Sequence, residues 1–288
     1  LLKQRIATAV VLIPLALVAI FLLPLSWFAI AVMGVMTLAA WEWSPIMGFR
    51  TISARLTYAA VILLITAGLY LMTPLHAIWA ESGMPAGIFY PLIIGGAWWL
   101  VSLVLVLGFP GSQCMWAKTR SIVAVIGVLM LVPAWAGLVA LRALNYDVNP
   151  LYGSFAVLFV FLLVWAADVG AYFTGKRWGR TKLMPDVSPN KTLEGLAGGV
   201  VLAILVMLVV AALIPVPREL WLNYLIVGIA VVLFSALGDL NESMFKRCAG
   251  IKDSGSILPG HGGILDRIDS LTSAVPIFAL GYLWLLHS

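Results

Sequence analysis

Nine apolar stretches, most of them about the length a helix needs to cross a lipid bilayer, follow one another along the 288 residues of the chain. They lie near residues 6–24, 26–41, 56–73, 88–107, 121–141, 153–173, 196–215, 220–239 and 271–287. A hydrocarbon core of about 30 Å takes about 20 helical residues to cross, and in lipid a helix satisfies all its backbone N–H and C=O groups internally. The expected fold is therefore all-α, a polytopic transmembrane helical bundle of about nine spans. Composition agrees: 63% of residues are hydrophobic and 10% charged, against about 25% charged in soluble domains. A soluble fold is excluded. The second stretch is short, and Pro14 and Pro91 inside the first and fourth predict kinks or a re-entrant segment. The first run follows only Lys3 and Arg5 and shows no small-residue cleavage site, so it reads as a retained span rather than a signal peptide.

Charge placement sets the orientation. With the N-terminus cytoplasmic, fifteen of the seventeen Lys and Arg residues fall on the inside, and only Arg142 and Arg218 fall outside. Basic residues near span ends are retained in the cytoplasm, so this asymmetry supports both the orientation and the odd number of spans. The net charge of +5 then reflects basic loops, and no nucleic-acid partner is expected. Cys114 and Cys248 match no metal-ligand spacing and imply no disulfide framework. No internal repeat stands out, which argues against transporters built from inverted repeats.

Two cytoplasmic loops are long, near residues 174–195 and 240–270, and hold nine of the seventeen basic residues. The later one, with the helix end before it, reads SALGDLNESMFKRCAGIKDSGSILPGHGGILDRIDS from Ser235 to Ser270. Asp239, Glu242, Asp253, Asp266 and Asp269 supply carboxylates, and Lys246, Arg247, Lys252 and Arg267 supply cations. Carboxylates hold Mg²⁺, cations neutralise phosphate oxygens, and interspersed glycines let backbone N–H groups approach them. The pattern suits magnesium-dependent phosphoryl or nucleotidyl transfer.

The run SMFKRCAGIKDSGSILPGHGGILDRID, Ser243 to Asp269, resembles the signature of the phosphatidate cytidylyltransferase (CDP-diacylglycerol synthase) family of bacterial type. Its Ser, Lys-Arg, Lys-Asp, His-Gly-Gly and Asp-Arg-x-Asp all stand in place. A second block, DVGAYFTGKRWGRTKLMPDVSPNKTLEGLAGG from Asp168 to Gly199, is similar to the family's DxGAYxxGRxxG and SPxKTxEG motifs. Lys176 departs from it, standing where Arg is common and losing the bidentate geometry of a guanidinium.

The resemblance implies an enzyme of the inner membrane, with its active site facing the cytoplasm, that joins CTP to phosphatidic acid, giving CDP-diacylglycerol and pyrophosphate. It implies Mg²⁺, a monovalent cation such as K⁺ beside it, and a homodimer. Asp239 and Asp266 are the first candidates for metal ligands, with Asp269 and Asp253 next. Lys246, Arg247, Lys252 and Arg267 would hold CTP phosphates or the lipid phosphate. His261 would contact a phosphate or the base; the attacking phosphatidate oxygen is already anionic and needs no general base. Asp168, Tyr172, Lys176, Ser188, Asn190, Lys191, Thr192 and Glu194 would bind substrate from the opposite side, with Pro189 in the first turn of a helix whose positive end faces an anion. On this reading residues 1–120 form N-terminal transmembrane helices, 121–195 the middle helices with the first motif loop, and 196–288 the catalytic helices with the signature loop.

Plainer readings cover other residues. Retention of basic residues explains Arg50, Arg55, Lys118 and Arg120 without chemistry. Trp41 and Trp43 read as interfacial aromatics, with Glu42 between them given a weak role although the family often carries a similar AxWE block; His76 and His287 read as solvated. Asp168 reads as a carboxylate near a helix end, where a membrane charge is a functional candidate. Two other activities stay open at this stage: a transporter using Asp168 and Asp239 as an ion path, and a CTP-dependent lipid kinase releasing CDP.

Overall fold

The computed structural model describes residues 2–117, 119–214, 216–258 and 262–286, with side chains from residue 10 onward except at 114 and 115. The expected site residue His261 lies outside the described residues, as do Lys118 and His287. The helices are α1 (Leu2–Leu22), α2 (Leu25–Trp43), α3 (Ile52–Met72), α4 (Ala86–Leu107), the one-turn α5 (Gln113–Trp116), α6 (Arg120–Arg142), α7 (Pro150–Trp178), α8 (Leu193–Leu213), α9 (Trp221–Ala249) and α10 (Leu265–Gly281). Eight described helical segments are long and apolar enough to cross a membrane, and α1 adds the apolar stretch Val10–Leu22. Pro14, Pro91, Pro133 and Pro276 all lie inside continuous helices.

Helix α6 occupies the middle of the bundle. Every residue from Met130 to Arg142 is buried, as a helix apolar on all sides must be when neighbours surround it. Small residues allow the close approach: a Cβ on Gly137 would lie 2.7 Å from Val275 of α10. Helices α3 and α8 face outward, and their apolar side chains are the surface offered to lipid, with Leu64, Leu71, Val201 and Val209 exposed.

Three boundaries depart from the apolar runs. Helix α9 continues ten residues past Asp239 to Ala249, α7 reaches Trp178, and α10 begins at Leu265. Much of what reads as loop is therefore helix standing clear of the apolar segment. The extension of α9 is held by packing, with Phe245 set against both Trp43 and Trp116 at ring distances of 5.2 and 4.4 Å. Gly250 ends the helix in the left-handed region at φ 69°, and Ile251 N–H returns to the Lys246 carbonyl at 3.0 Å, the usual glycine C-terminus.

A small antiparallel hairpin, β1 (Lys182–Met184) and β2 (Ser188–Thr192), adds strand to the all-α expectation. Pro189 lies in β2, not in a first helical turn. The N-cap of α8 is Thr192 instead, whose hydroxyl accepts the N–H of Gly195 at 3.1 Å, as Thr caps commonly do.

The connections after α2, α4, α7 and α9 gather at one end of the bundle. Glu42 accepts the Leu265 N–H, a Cβ on Gly48 would lie 3.5 Å from Arg120, and Arg247 donates to Val187. The other connections meet at the opposite end. There Arg142, expected as a loop cation, is 2% exposed and donates to the carbonyls of Ile20, Leu23 and Pro150. Three carbonyl acceptors satisfy the guanidinium, which is how it can be buried there. His76, at the same end, is exposed to solvent as expected and pairs there with Asp147 at 2.7 Å.

Candidate active site

Helices α7 and α8 touch backbone to backbone. A Cβ on Gly170 would lie 2.5 Å from the Gly198 carbonyl oxygen, and one on Gly199 would lie 2.6 Å from that of Ala167. This approach holds Asp168 and Tyr172 of α7 beside the first turn of α8. The two helices, the hairpin and α9 enclose a cavity of about 340 Å³. Asp168, Tyr172, Ser188, Asn190, Lys191 and Thr192 line it, and Leu183, Leu196 and Val232 give it an apolar wall.

Asp168 is not at a helix end. It lies inside α7, ten residues before Trp178, or about 15 Å at the rise of a helix. One helical turn beyond the α9 lining residues Ser235 and Ala236, Asp239 receives Lys191 Nζ at 2.7 Å and the Ser243 hydroxyl at 3.2 Å. Asp168 and Asp269 both lie within electrostatic reach of Asp239, and Arg267 within reach of Asp168.

A second charged group stands further along α9. Asp239, Glu242 and Lys246 share one face of the helix, opposite Asp266 and Asp269 on α10. Lys246 Nζ is 2.7 Å from Asp266 and 3.2 Å from Glu242. Asp266 also accepts the N–H groups of Ser254 and Gly263 at 3.1 and 2.8 Å, so both its oxygens are engaged in holding the signature loop. Gly262, at φ 80°, makes the turn that brings the loop back to it.

The remaining expected site residues take other places. Glu194 does not line the cavity; its carboxylate accepts the N–H groups of Arg180 and Thr181 and clasps the hairpin's base. Lys176 is exposed on the last turn of α7, 5.7 Å from the Tyr172 ring. Lys252 and Asp253 are exposed on the loop, and Arg247 ties α9 to the hairpin turn through the Val187 carbonyl at 3.2 Å.

Two further acidic residues, to which the sequence assigned no specific site role, belong to this region. Glu242 is fully buried between Lys246 and Asp269. Glu42 is fully buried as well and accepts the Leu265 N–H at 2.8 Å. Trp43, its neighbour, is a core residue rather than an interfacial one, 1% exposed with its indole N–H on the Val123 carbonyl at 2.9 Å. For Glu42 the signal available was a carboxylate in an otherwise apolar run, and Glu242 stood among the carboxylates of the later loop.

Among the described residues no three Asp, Glu, His or Cys side chains are grouped to hold a metal by themselves. Mg²⁺, however, is commonly bound through one or two carboxylates together with substrate phosphates and water. The hard oxygens of Asp239, Asp168 and Asp269 fit that requirement, and those of Asp266 fit it where Lys246 or a loop N–H gives way to the ion.

Paired lysines and carboxylates at the ends of membrane helices, beside a cavity with an apolar wall, suit a reaction between a phosphate-bearing lipid and a nucleotide. Residues 3–285 match the Cytidylyltransferase family. The chain belongs to that family. Its relatives include a protein named phosphatidate cytidylyltransferase from Pseudomonas aeruginosa, 42% identical over 98% of this chain and 97% of that protein. Another of the same name, from Haemophilus influenzae, is 39% identical over 99% of this chain and all of the relative. One from Bacillus subtilis is 45% identical over 43% of this chain and 46% of its own length. In this member of the family, the block from Asp168 to Gly199 meets the helix leading into the signature run through the Lys191 to Asp239 pair.

Proposed function

We propose that the chain is a phosphatidate cytidylyltransferase: a phosphate oxygen of phosphatidic acid attacks the α-phosphorus of CTP, CDP-diacylglycerol forms and pyrophosphate leaves. The observation that carries the reading is the cavity lined by Asp168 and Lys191, with Lys191 reaching on to Asp239 just beyond it, at one end of apolar helices. A lipid phosphate resides at such a surface, and a soluble triphosphate reaches it from the aqueous side.

Lys191 neutralises phosphate oxygens, and the first turn of α8, which lines the cavity, adds backbone dipoles favourable to an anion. The hydroxyl of Ser188, the amide of Asn190 and the ring of Tyr172 orient the bound groups. The apolar wall excludes water that would otherwise compete with the lipid phosphate as nucleophile. Asp239, Asp266, Asp269 and Asp168 are the residues that would hold Mg²⁺, which would screen triphosphate charge and stabilise the departing pyrophosphate when bound. Asp266 and Lys246 keep the signature loop in register. Lys252, Arg247 and Arg267, exposed around the opening, attract the triphosphate. His261 contacts the nucleotide, K⁺ serves as a second cation, and two copies assemble as a homodimer. The site faces the cytoplasm at the inner membrane, a reading that the basic loops support.

Purified protein in detergent with phosphatidic acid, labelled CTP and Mg²⁺ should yield labelled liponucleotide and pyrophosphate in equal amounts. Release of CDP with a doubly phosphorylated lipid would replace this reading with a kinase. No turnover together with cation flux in liposomes would replace it with a transporter.

A further inference from the structure

Helix α10 begins without a capping side chain of its own, although the first N–H groups of a helix need acceptors. The acceptor comes from α2, 223 residues earlier in the chain. Glu42 Oε2 takes the N–H of Leu265 at 2.8 Å, and the N–H of Ile264 also faces its carboxylate. A carboxylate at this end is favoured by the helix dipole as well.

The signature loop is folded closely around the same group. A Cβ on Gly255 would overlap the Glu42 side chain, which supplies the three nearest atoms to that point. A Cβ on Gly263 would overlap the Glu42 carboxylate and the Ser254 hydroxyl. Gly255 and Gly263 do not have left-handed backbone angles, so their smallness is required by Glu42 and not by chain conformation. Ser254 and Gly263 are also the residues whose N–H groups bind Asp266. One buried carboxylate thus touches both sides of the loop and the start of the helix that carries Asp266 and Asp269.

We infer that Glu42 is a positioning residue of the active site: it caps α10 and sets the distance of the signature loop from α2, and through them fixes Asp266, Lys246 and Asp269. The inference rests on the nucleotidyl transfer proposed above. It concerns a side chain outside both motif blocks, one that touches no substrate.

The test uses full-length protein in detergent, with CDP-diacylglycerol formation, CTP KM and thermal unfolding measured for each variant. Wild type must first form liponucleotide; its failure to do so sinks the reaction and leaves the Glu42 geometry as it is. Glu42→Ala should lower kcat about 10²-fold, the usual effect of misplacing catalytic groups by about 1 Å, with CTP KM changed by less than about threefold. Glu42→Gln keeps an oxygen acceptor for Leu265 N–H and should recover most of the kcat. Gly255→Ala should be slow in the wild-type background, and the double variant Glu42→Ala with Gly255→Ala should be no slower than Glu42→Ala alone, because the colliding side chain is gone. Three results overturn the inference: Glu42→Ala within about twofold of wild type, Glu42→Gln as slow as Glu42→Ala, or Gly255→Ala costing the same fold-loss with and without Glu42.

Discussion

Lys191 and Asp239 are 27% and 34% exposed, and an ion pair that open to water contributes little to stability. On the proposed function its importance is chemical: it places a cation that would neutralise phosphate beside the carboxylates. Lys191→Ala and Asp239→Asn should therefore each reduce kcat/KM by roughly 10² to 10³, the effect of removing one preorganised electrostatic group, and leave the unfolding temperature nearly unchanged. If both variants turn over at the wild-type rate, the cavity is not the active site. Asp266 should behave differently, since its side chain is 7% exposed and holds Lys246 and two backbone N–H groups. Asp266→Ala should cost about 3 kcal/mol of stability in addition to activity, because it strips a buried cation of a partner; denaturant unfolding measures this directly. Asp168, Lys191 and Asp239 were readable from the motif blocks. Glu42 was readable only as a weak candidate, because one carboxylate in an apolar run looks the same whether it faces interfacial water or a helix end packed against it.

Between secondary-structure elements, backbone contact of α7 with α8 decides whether the cavity exists. Gly199→Val should force the pair apart, lowering stability by about 1 to 3 kcal/mol, as overpacking does, and lowering activity with it. Gly68 of α3 has nothing within 4 Å of a Cβ, so Gly68→Ala should be neutral or slightly stabilising, by about 0.5 kcal/mol. Equal melting temperatures for the two variants would remove the packing argument. The apolar runs located the spans but not the ends of α7, α9 and α10. Polar residues such as Asn241, Glu242 and Lys246 end a hydropathy signal without ending a helix. What prolongs α9 is tertiary, the seating of Phe245 between Trp43 and Trp116.

Across the bundle, the basic connections meet at one end and Arg142 braces the other. The orientation is testable with single cysteines placed in a background lacking Cys114 and Cys248. A thiol at Val148, 90% exposed, should react with an impermeant reagent applied to the outer face of intact inner membranes. One at Ser256, on the signature loop, should react only after permeabilisation. The opposite pattern inverts the topology and moves the site away from the cytoplasm.

Membrane residence, the approximate spans and the bunching of charge in two motif blocks all follow from local composition, because twenty apolar residues have one low-energy answer in lipid and basic residues resist crossing it. Which charges meet is not a local property. The pairs Lys191 with Asp239, Lys246 with Asp266, and Glu42 with the N–H of Leu265 depend on how each helix is rotated about its axis. That rotation is set by small residues pressed against neighbouring backbones, and it exists only once the helices have packed.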